Sequence, residues 1–298
     1  MKTSTHVERS GPMIGPGLDE GLISVGGHDY YHVPNVDQIP PFLMSIVSDG
    51  DRWMFISSSG ALTAGRKDAE HALFPYETDD RLHQAGRRTG AVTSLRVEGV
   101  SQTWKPFHPE TDTPTGRRLA KSVTSDAILF EEDHPVEPLT FGYQWASSDE
   151  YGFVRRAVLS NRGDHDISLS LVDGIVNVLP YGSNPGLELG MRNLTNAYKR
   201  SELISSRSSL AVYSMESRVS DRPEPSESLR ANVVWSLCPE GFSVSLDRTA
   251  FDEFERGQPA TCGDVVTGRP GAYLIIGDVT LSAGSSMSWD LVCDVEIG

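Results

Sequence analysis

The constraint that most limits how this chain can fold is its punctuation. From residue 90 onward, apolar runs of strand length recur at short intervals, and turn-forming residues close each one before a helix-length pattern can develop. The runs fall at 91–97, 100–104, 127–130, 139–145, 152–159 and 167–175, and several alternate apolar with polar residues at a period of two. Further runs at 203–204, 210–215, 233–237, 242–246, 273–281 and 287–296 continue the series. Upstream, 42–47 and 52–56 read as a hairpin around Ser48, Asp49 and Gly50. About eighteen short strands in one chain predict an all-β protein in which two large antiparallel sheets pack face to face.

Only one or two short helices interrupt the strands. Residues 186–200 space Leu187, Met191, Leu194 and Tyr198 at helical intervals, and 250–256 set Phe251 and Phe254 on one side of a turn. Residues 1–27 are rich in Gly, Ser and Pro and read as a loose arm and first turn, leaving 28–298 as a single domain. Proline and threonine at 106–118 and charge with proline at 218–230 predict surface loops.

Charge narrows the function classes. With 26 basic against 41 acidic residues the formal net charge is −15, which disfavours nucleic acid or an anionic membrane as partner and leaves a neutral sugar compatible. No apolar run reaches the roughly 20 residues of a membrane span, and no secretory-signal pattern opens the chain. Cys238, Cys262 and Cys293 have no metal-site or redox-motif spacing, so they read as free thiols in a reducing compartment, with the cytoplasm as the expected location.

The densest chemistry lies in ISSSGALTAGRKDAEHALFPYETDDR, residues 56–81. Hydroxyls and glycines (Ser59, Gly60, Thr63, Gly65) run into Arg66, and Tyr76, Thr78, Asp79 and Arg81 follow, a mixture able to stack on and hydrogen-bond a polyhydroxylated ligand. The same residues are also ordinary turn and cap chemistry. Trp104 and Trp145, at strand ends beside polar loops, are the first choices for a sugar platform, whereas Trp53, Trp235 and Trp289 sit in strongly apolar runs and read as core. No metal site is expected. The acidic pairs Asp79/Asp80 and Glu131/Glu132 read as solvated surface groups, neighbours on a strand pointing to opposite faces.

The segment resembles the N-terminal active-site loop of the cellobiose phosphorylase family, where a strand runs into a Ser-x-x-Gly-Gly loop and a basic residue. Here Ala61 replaces the second glycine and Leu62 the aromatic that often follows. Phe130-Glu131-Glu132 closing a strand, Leu159-Ser160-Asn161 before a strand ending Asp173-Gly174-Ile175, and the late AFDEFERG segment are similar to the same family, over almost the whole chain. The resemblance implies a galactose mutarotase-like supersandwich. In that family an α-helical barrel carrying the general acid follows the sandwich, and no such segment stands between residue 1 and residue 298, so the expectation is an N-terminal domain cut from a longer protein.

The leading expectation is therefore a non-catalytic domain of a glycoside phosphorylase or hydrolase, supplying a loop to a glycan or phosphate site and contacts for the missing barrel or for a homodimer. No cofactor is expected, inorganic phosphate being a co-substrate only if the parent enzyme is phosphorolytic. Two other classes stand beside it. One is a free-standing aldose 1-epimerase, in which His108 or His165 would act with Glu240, Glu253 or Asp278; the other is a plain carbohydrate-binding or assembly module.

Overall fold

The computed structural model describes residues 11–48, 50–108, 116–205, 209–217 and 230–297. The first ten residues, read as part of a loose arm, lie outside them, as do 109–115 and 218–229 of the two expected loops.

Nineteen strands are assigned among the described residues. In chain order the first ten are β1 (Gly21–Val25), β2 (His28–Pro34), β3 (Leu43–Ile46), β4 (Arg52–Ser57), β5 (Leu62–Arg66), β6 (Ala72–Phe74), β7 (Gly90–Val97), β8 (Arg118–Ser122), β9 (Ala127–Asp133) and β10 (Leu139–Ser148). Then follow β11 (Gly152–Asn161), β12 (Ile167–Val178), β13 (Lys199–Leu203), β14 (Ala211–Met215), β15 (Ala231–Leu237), β16 (Ser243–Ser245), β17 (Val265–Thr267), β18 (Gly271–Leu281) and β19 (Ser286–Ile297). The helices are α1 (Asp79–Ala85), α2 (Pro185–Gly190), α3 (Arg192–Asn196) and α4 (Thr249–Glu255).

The fold is all-β and antiparallel, in three sheets. An 11-stranded sheet runs β1-β2-β8-β9-β10-β11-β19-β15-β14-β13-β17, and two four-stranded sheets run β16-β18-β12-β7 and β3-β4-β5-β6. The alternation in β10 shows how sequence phase makes the core. Leu139, Phe141, Tyr143 and Trp145 face inward and are buried, while Gln144 and Ala146 take the opposite face. Against them pack Leu171 and Ile175 of β12, Tyr273 and Ile275 of β18, and Ile56, Leu62 and Phe74 of the second small sheet. Each such side chain contributes about 1.5–3 kcal/mol on burial. α4 covers the other face of β7, β12 and β18 through Phe251 and Phe254.

The all-β antiparallel fold is as expected, and four details of it change. Instead of two sheets there are three, because the hairpin around residue 50 recruits β5 and β6 into a sheet of its own. The helix expected over 186–200 breaks at Gly190 and Met191, whose backbone is non-helical, and Lys199 already belongs to a strand; Met191 and Leu194 of its apolar stripe stay exposed. The strand expected at 100–104 is a loop joined to β7 by one bridge, Leu95 to Trp104, because Gly99 at φ 81° turns the chain sharply there. The N-terminal stretch is also more than an arm from residue 11 on. β1 pairs with β2, Ile14 is buried against the outer face of the large sheet, and the amides of Ile14 and Gly15 donate to Glu131 at 3.0 and 2.8 Å.

Candidate functional site

The outer face of the 11-stranded sheet is covered by the N-terminal stretch over β8 and β9 and opens into a groove over β10, β11, β19 and β15. Pairing register builds its floor. Gln144 faces Arg156, Arg156 faces Asp290 and Asp290 faces Leu237, so four neighbouring strands carry one row of amide, guanidinium, carboxyl and apolar side chain. The next row is Ala146, Val154, Val292 and Trp235. Tyr151 closes one end, and the cavity volume is about 390 Å³, within the range of small-molecule clefts.

The polar row is set up for an incoming partner. Gln144 donates its amide to Tyr30 Oη at 3.2 Å, leaving its carbonyl oxygen without a partner among the described residues. Arg156 donates to Ser288 Oγ at 3.4 Å and is otherwise exposed. Asp290 makes no hydrogen bond or ion pair among the described residues; burial pushes its carboxyl above the ordinary aspartate value, and nearby Arg156 offsets this only in part. An unpaired, half-buried carboxyl with a perturbed pKa in a groove marks a candidate site. With the half-buried indole of Trp235 beside it, the groove can accept from and donate to hydroxyls while covering an apolar ring face.

The residues singled out in 56–81 lie elsewhere, around the second small sheet, and most have structural tasks. Gly60 takes φ 89° in the turn between β4 and β5, where a Cβ would stand 2.7 Å from Tyr143 Oη. A Cβ on Gly65 would lie 2.5 Å from the His71 carbonyl, so this glycine admits β6 and does not open the backbone to a ligand. Thr63 is buried in β5. Ser59 Oγ donates to Ser57 Oγ at 2.9 Å, Ser57 Oγ lies 2.8 Å from His83 Nδ1, and His83 Nε2 is 2.9 Å from Asp79, a chain that fastens α1 to the turn. Arg66 gives both arms of its fork to Asp51, at 2.9 and 3.2 Å, and so is not free to clamp a ligand. Thr78 precedes α1 and donates to Asp80 at 2.7 Å, while Tyr76 is exposed with its ring edge-on to Trp53. Arg81 is exposed. The cluster is thus a hairpin with its braces; Tyr76, Thr78, Asp79 and Arg81 are its exposed members, and of these Thr78 and Asp79 are engaged with Asp80 and His83.

Two of the tryptophan assignments, those of Trp145 and Trp235, exchange places. Trp145 has no exposed surface because its phase in β10 is inward, so it cannot stack on a sugar. Trp235, read as core, is half-buried in the groove: in β15, Val234 and Ser236 face inward and the indole between them faces out. Trp53 is likewise half-buried, whereas Trp289 is core. Trp104 is 5% exposed, on the wall of a separate cavity of about 520 Å³ that also holds His108, His134 and Glu255. There His134 Nδ1 accepts two backbone amides, at 3.1 and 2.8 Å, and burial holds its pKa below the ordinary value. Glu255 is fastened by Arg87, Lys105 and Ser94 at 2.6, 3.2 and 2.7 Å. Burial alone would raise that carboxyl; the three partners outweigh it and keep it ionised below the usual range. Glu131 and Glu132 are not solvated either. They point to opposite faces as adjacent strand residues must, but both are buried, against Arg118 and Arg117 respectively.

No protein-family model and no curated protein matches the chain. Solved structures are similar to it at low identity. An aldose epimerase homologue from C. elegans is 12% identical with a TM-score of 0.47, 87% of this chain covering 100% of that one. A polysaccharide lyase is 12% identical with a TM-score of 0.42, 86% of this chain covering 32% of it, and a putative kojibiose phosphorylase from the human microbiome is 8% identical with a TM-score of 0.32, 91% covering 26%. The chain therefore spans about a third or less of the lyase and phosphorylase chains. No helix among the described residues is long and apolar enough to cross a membrane.

Proposed function

We propose that this chain is a saccharide-binding domain, with the groove on the outer face of the large sheet as its site, and that it serves a carbohydrate-active enzyme of the glycoside phosphorylase or hydrolase type without performing the chemistry itself. The observation that carries this reading is the row Gln144, Arg156 and Asp290 set beside Trp235, polar groups and an indole on one rigid floor. A pyranose has hydroxyls around its rim and an apolar C–H face, and these four side chains match both. Asp290 is the one carboxyl among the described residues lining the groove, whereas inverting hydrolysis requires an acid and a second carboxylate roughly 6.5–9.5 Å apart. Such a floor holds a sugar and leaves bond cleavage to another part of the assembly.

The test is NMR titration of the chain with a panel of neutral mono- and disaccharides. Saturable shifts confined to β10, β11, β15 and β19, lost in Trp235→Ala with the melting temperature unchanged, are the expected result. Shifts centred on residues 57–81 would return the site to the hairpin, and no shift with any sugar at tens of millimolar would end the saccharide reading.

A further inference from the structure

A second cavity, of about 350 Å³, lies where the loops around α3, α4 and the start of β18 meet, and its walls carry four arginines: Arg88, Arg192, Arg248 and Arg269. In a chain of net charge −15, guanidiniums from four separated segments around one hollow are a marked local reversal of sign. Two of them are balanced. Arg192 pairs with Glu77 and Arg269 with Asp247, each at 3.2 Å. Arg88 and Arg248 have no carboxylate partner among the described residues and rest on main-chain carbonyls, Arg88 on Gln84 at 2.8 Å and Arg248 on Arg87 at 3.4 Å. Counting Glu77, which pairs with Arg192, together with the lining carboxylates Asp247 and Asp252 against the four arginines leaves a charge of +1.

An independent feature points into the same hollow. Asn177 sits at the β-bulge between Val176 and Val178, in the left-handed region at φ 64°. Only 9% of its surface is exposed, it lines the cavity, and its side-chain amide makes no hydrogen bond among the described residues. Gly271 makes the bulge possible, since a Cβ there would lie 2.6 Å from the Val178 carbonyl. A residue held at positive φ carries a backbone cost, and an amide with no hydrogen bond among the described residues is available to a ligand in the cavity.

From these groups we infer that the cavity binds a small polar molecule through a phosphate monoester. Two guanidiniums without a carboxylate partner suit a group that carries roughly −1.5 to −2 at neutral pH. Arg88 and Arg248 supply donors that no carboxylate claims, and Asn177 a neutral donor and acceptor for the oxygens or the adjoining hydroxyls. The volume exceeds that of a bare anion and falls within the small-molecule range. This inference does not rest on the saccharide groove, which lies on a different sheet face.

The experiment is calorimetric titration of the full chain at low ionic strength with glucose 6-phosphate, inorganic phosphate, glucuronate and glucose. Glucose 6-phosphate is expected to bind at least tenfold tighter than the other three, to weaken as salt is added, and to lose at least tenfold in Arg88→Gln and again in Arg248→Gln. Asn177→Ala is expected to weaken it further without altering its salt dependence. If Arg248→Gln fails to fold, Arg88→Gln alone decides. Equal binding of inorganic phosphate would overturn the ester, equal binding of glucuronate would overturn phosphate selectivity, and wild-type-like binding by folded Arg88→Gln or the absence of saturable binding would overturn the site.

Discussion

Arg155 of β11 and Asp173 of β12 form a bidentate ion pair, at 2.7 and 2.8 Å, that joins the 11-stranded sheet to a four-stranded one with neither side chain exposed to solvent. Trp289 Nε1 and Thr93 Oγ1 donate to the same carboxylate, at 2.7 and 2.6 Å, and the guanidinium lies 4.6 Å over the Tyr143 ring. Taking either partner away leaves a buried charge uncompensated, which costs about 3–5 kcal/mol. Asp173→Asn and Arg155→Met are each expected to destabilise the chain by that amount in urea melts. The double variant is expected to cost less than the sum, since nothing charged then remains buried. Additive losses would mean that the pair does not act as a unit.

The turn after β4 has a second requirement. At φ 89°, and with Tyr143 Oη where a Cβ would go, position 60 tolerates glycine alone without movement. Gly60→Ala is expected to cost about 1–3 kcal/mol from the backbone, plus whatever the displaced phenol adds. Gly26→Ala, at φ 58° in open space, separates the two contributions because it carries the backbone cost without the clash. Equal melting temperatures for the two variants would show that the contact with Tyr143 is not felt.

How much of this was legible follows from what sequence phase can carry. The strands of the large sheet could be read because β10 and β11 alternate or sit between clear turns, and the helix at 250–256 could be read from two phenylalanines. The separate sheet of β3 to β6 could not, because its membership is settled by long-range contacts of Leu62 and Phe74 that leave no local mark. α1 went unseen for a similar reason: seven residues, five of them polar and only Leu82 buried, give no stripe. The groove was hidden by strand apolarity. In β15 Val233, Val234 and Trp235 follow one another, so the outward phase of Trp235 leaves no local mark; β19 does alternate and turns Asp290 outward, but that Asp290 faces Arg156 and Leu237 emerges only from the strand pairing. The 56–81 segment drew attention through chemistry that the fold spends on itself, Arg66 on Asp51 and Ser57 on His83.

Trp235 offers the most direct separation of binding from stability. In the proposed site its indole covers ring carbons, so its removal is expected to weaken saccharide binding about tenfold, equivalent to 1.4 kcal/mol, while the open side of this half-buried position lets water take its place at little cost to the fold. Trp145→Ala is the contrasting variant. With no exposed surface, that indole is expected to cost about 3–5 kcal/mol of stability. If Trp235→Ala destabilised the chain as strongly as Trp145→Ala, the groove would be core and not a site.

Asp290 links the site to pH. Burial raises its carboxyl above 3.8, so the folded chain keeps this proton to a higher pH than the unfolded chain does. Between 3.8 and the folded value, unfolding releases the proton and stability falls as pH rises; above that window the cost of holding a partly desolvated, unpaired carboxylate is fully present. Asp290→Asn removes the cost and keeps the shape. It is therefore expected to melt higher than the parent at pH 7, with the advantage shrinking through the window and gone below 3.8, where both side chains are neutral. The same change takes away a charged acceptor and is expected to weaken saccharide binding, since hydrogen bonds to charged groups contribute about 1.5–3 kcal/mol. Stability gained while binding is lost is the behaviour of a residue retained for a ligand. A lower melting temperature at pH 7 would place the carboxylate among the structural ion pairs, a gain that persists below pH 3.8 would mean that the charge is not what costs stability, and either would take away the groove's strongest claim to be a site.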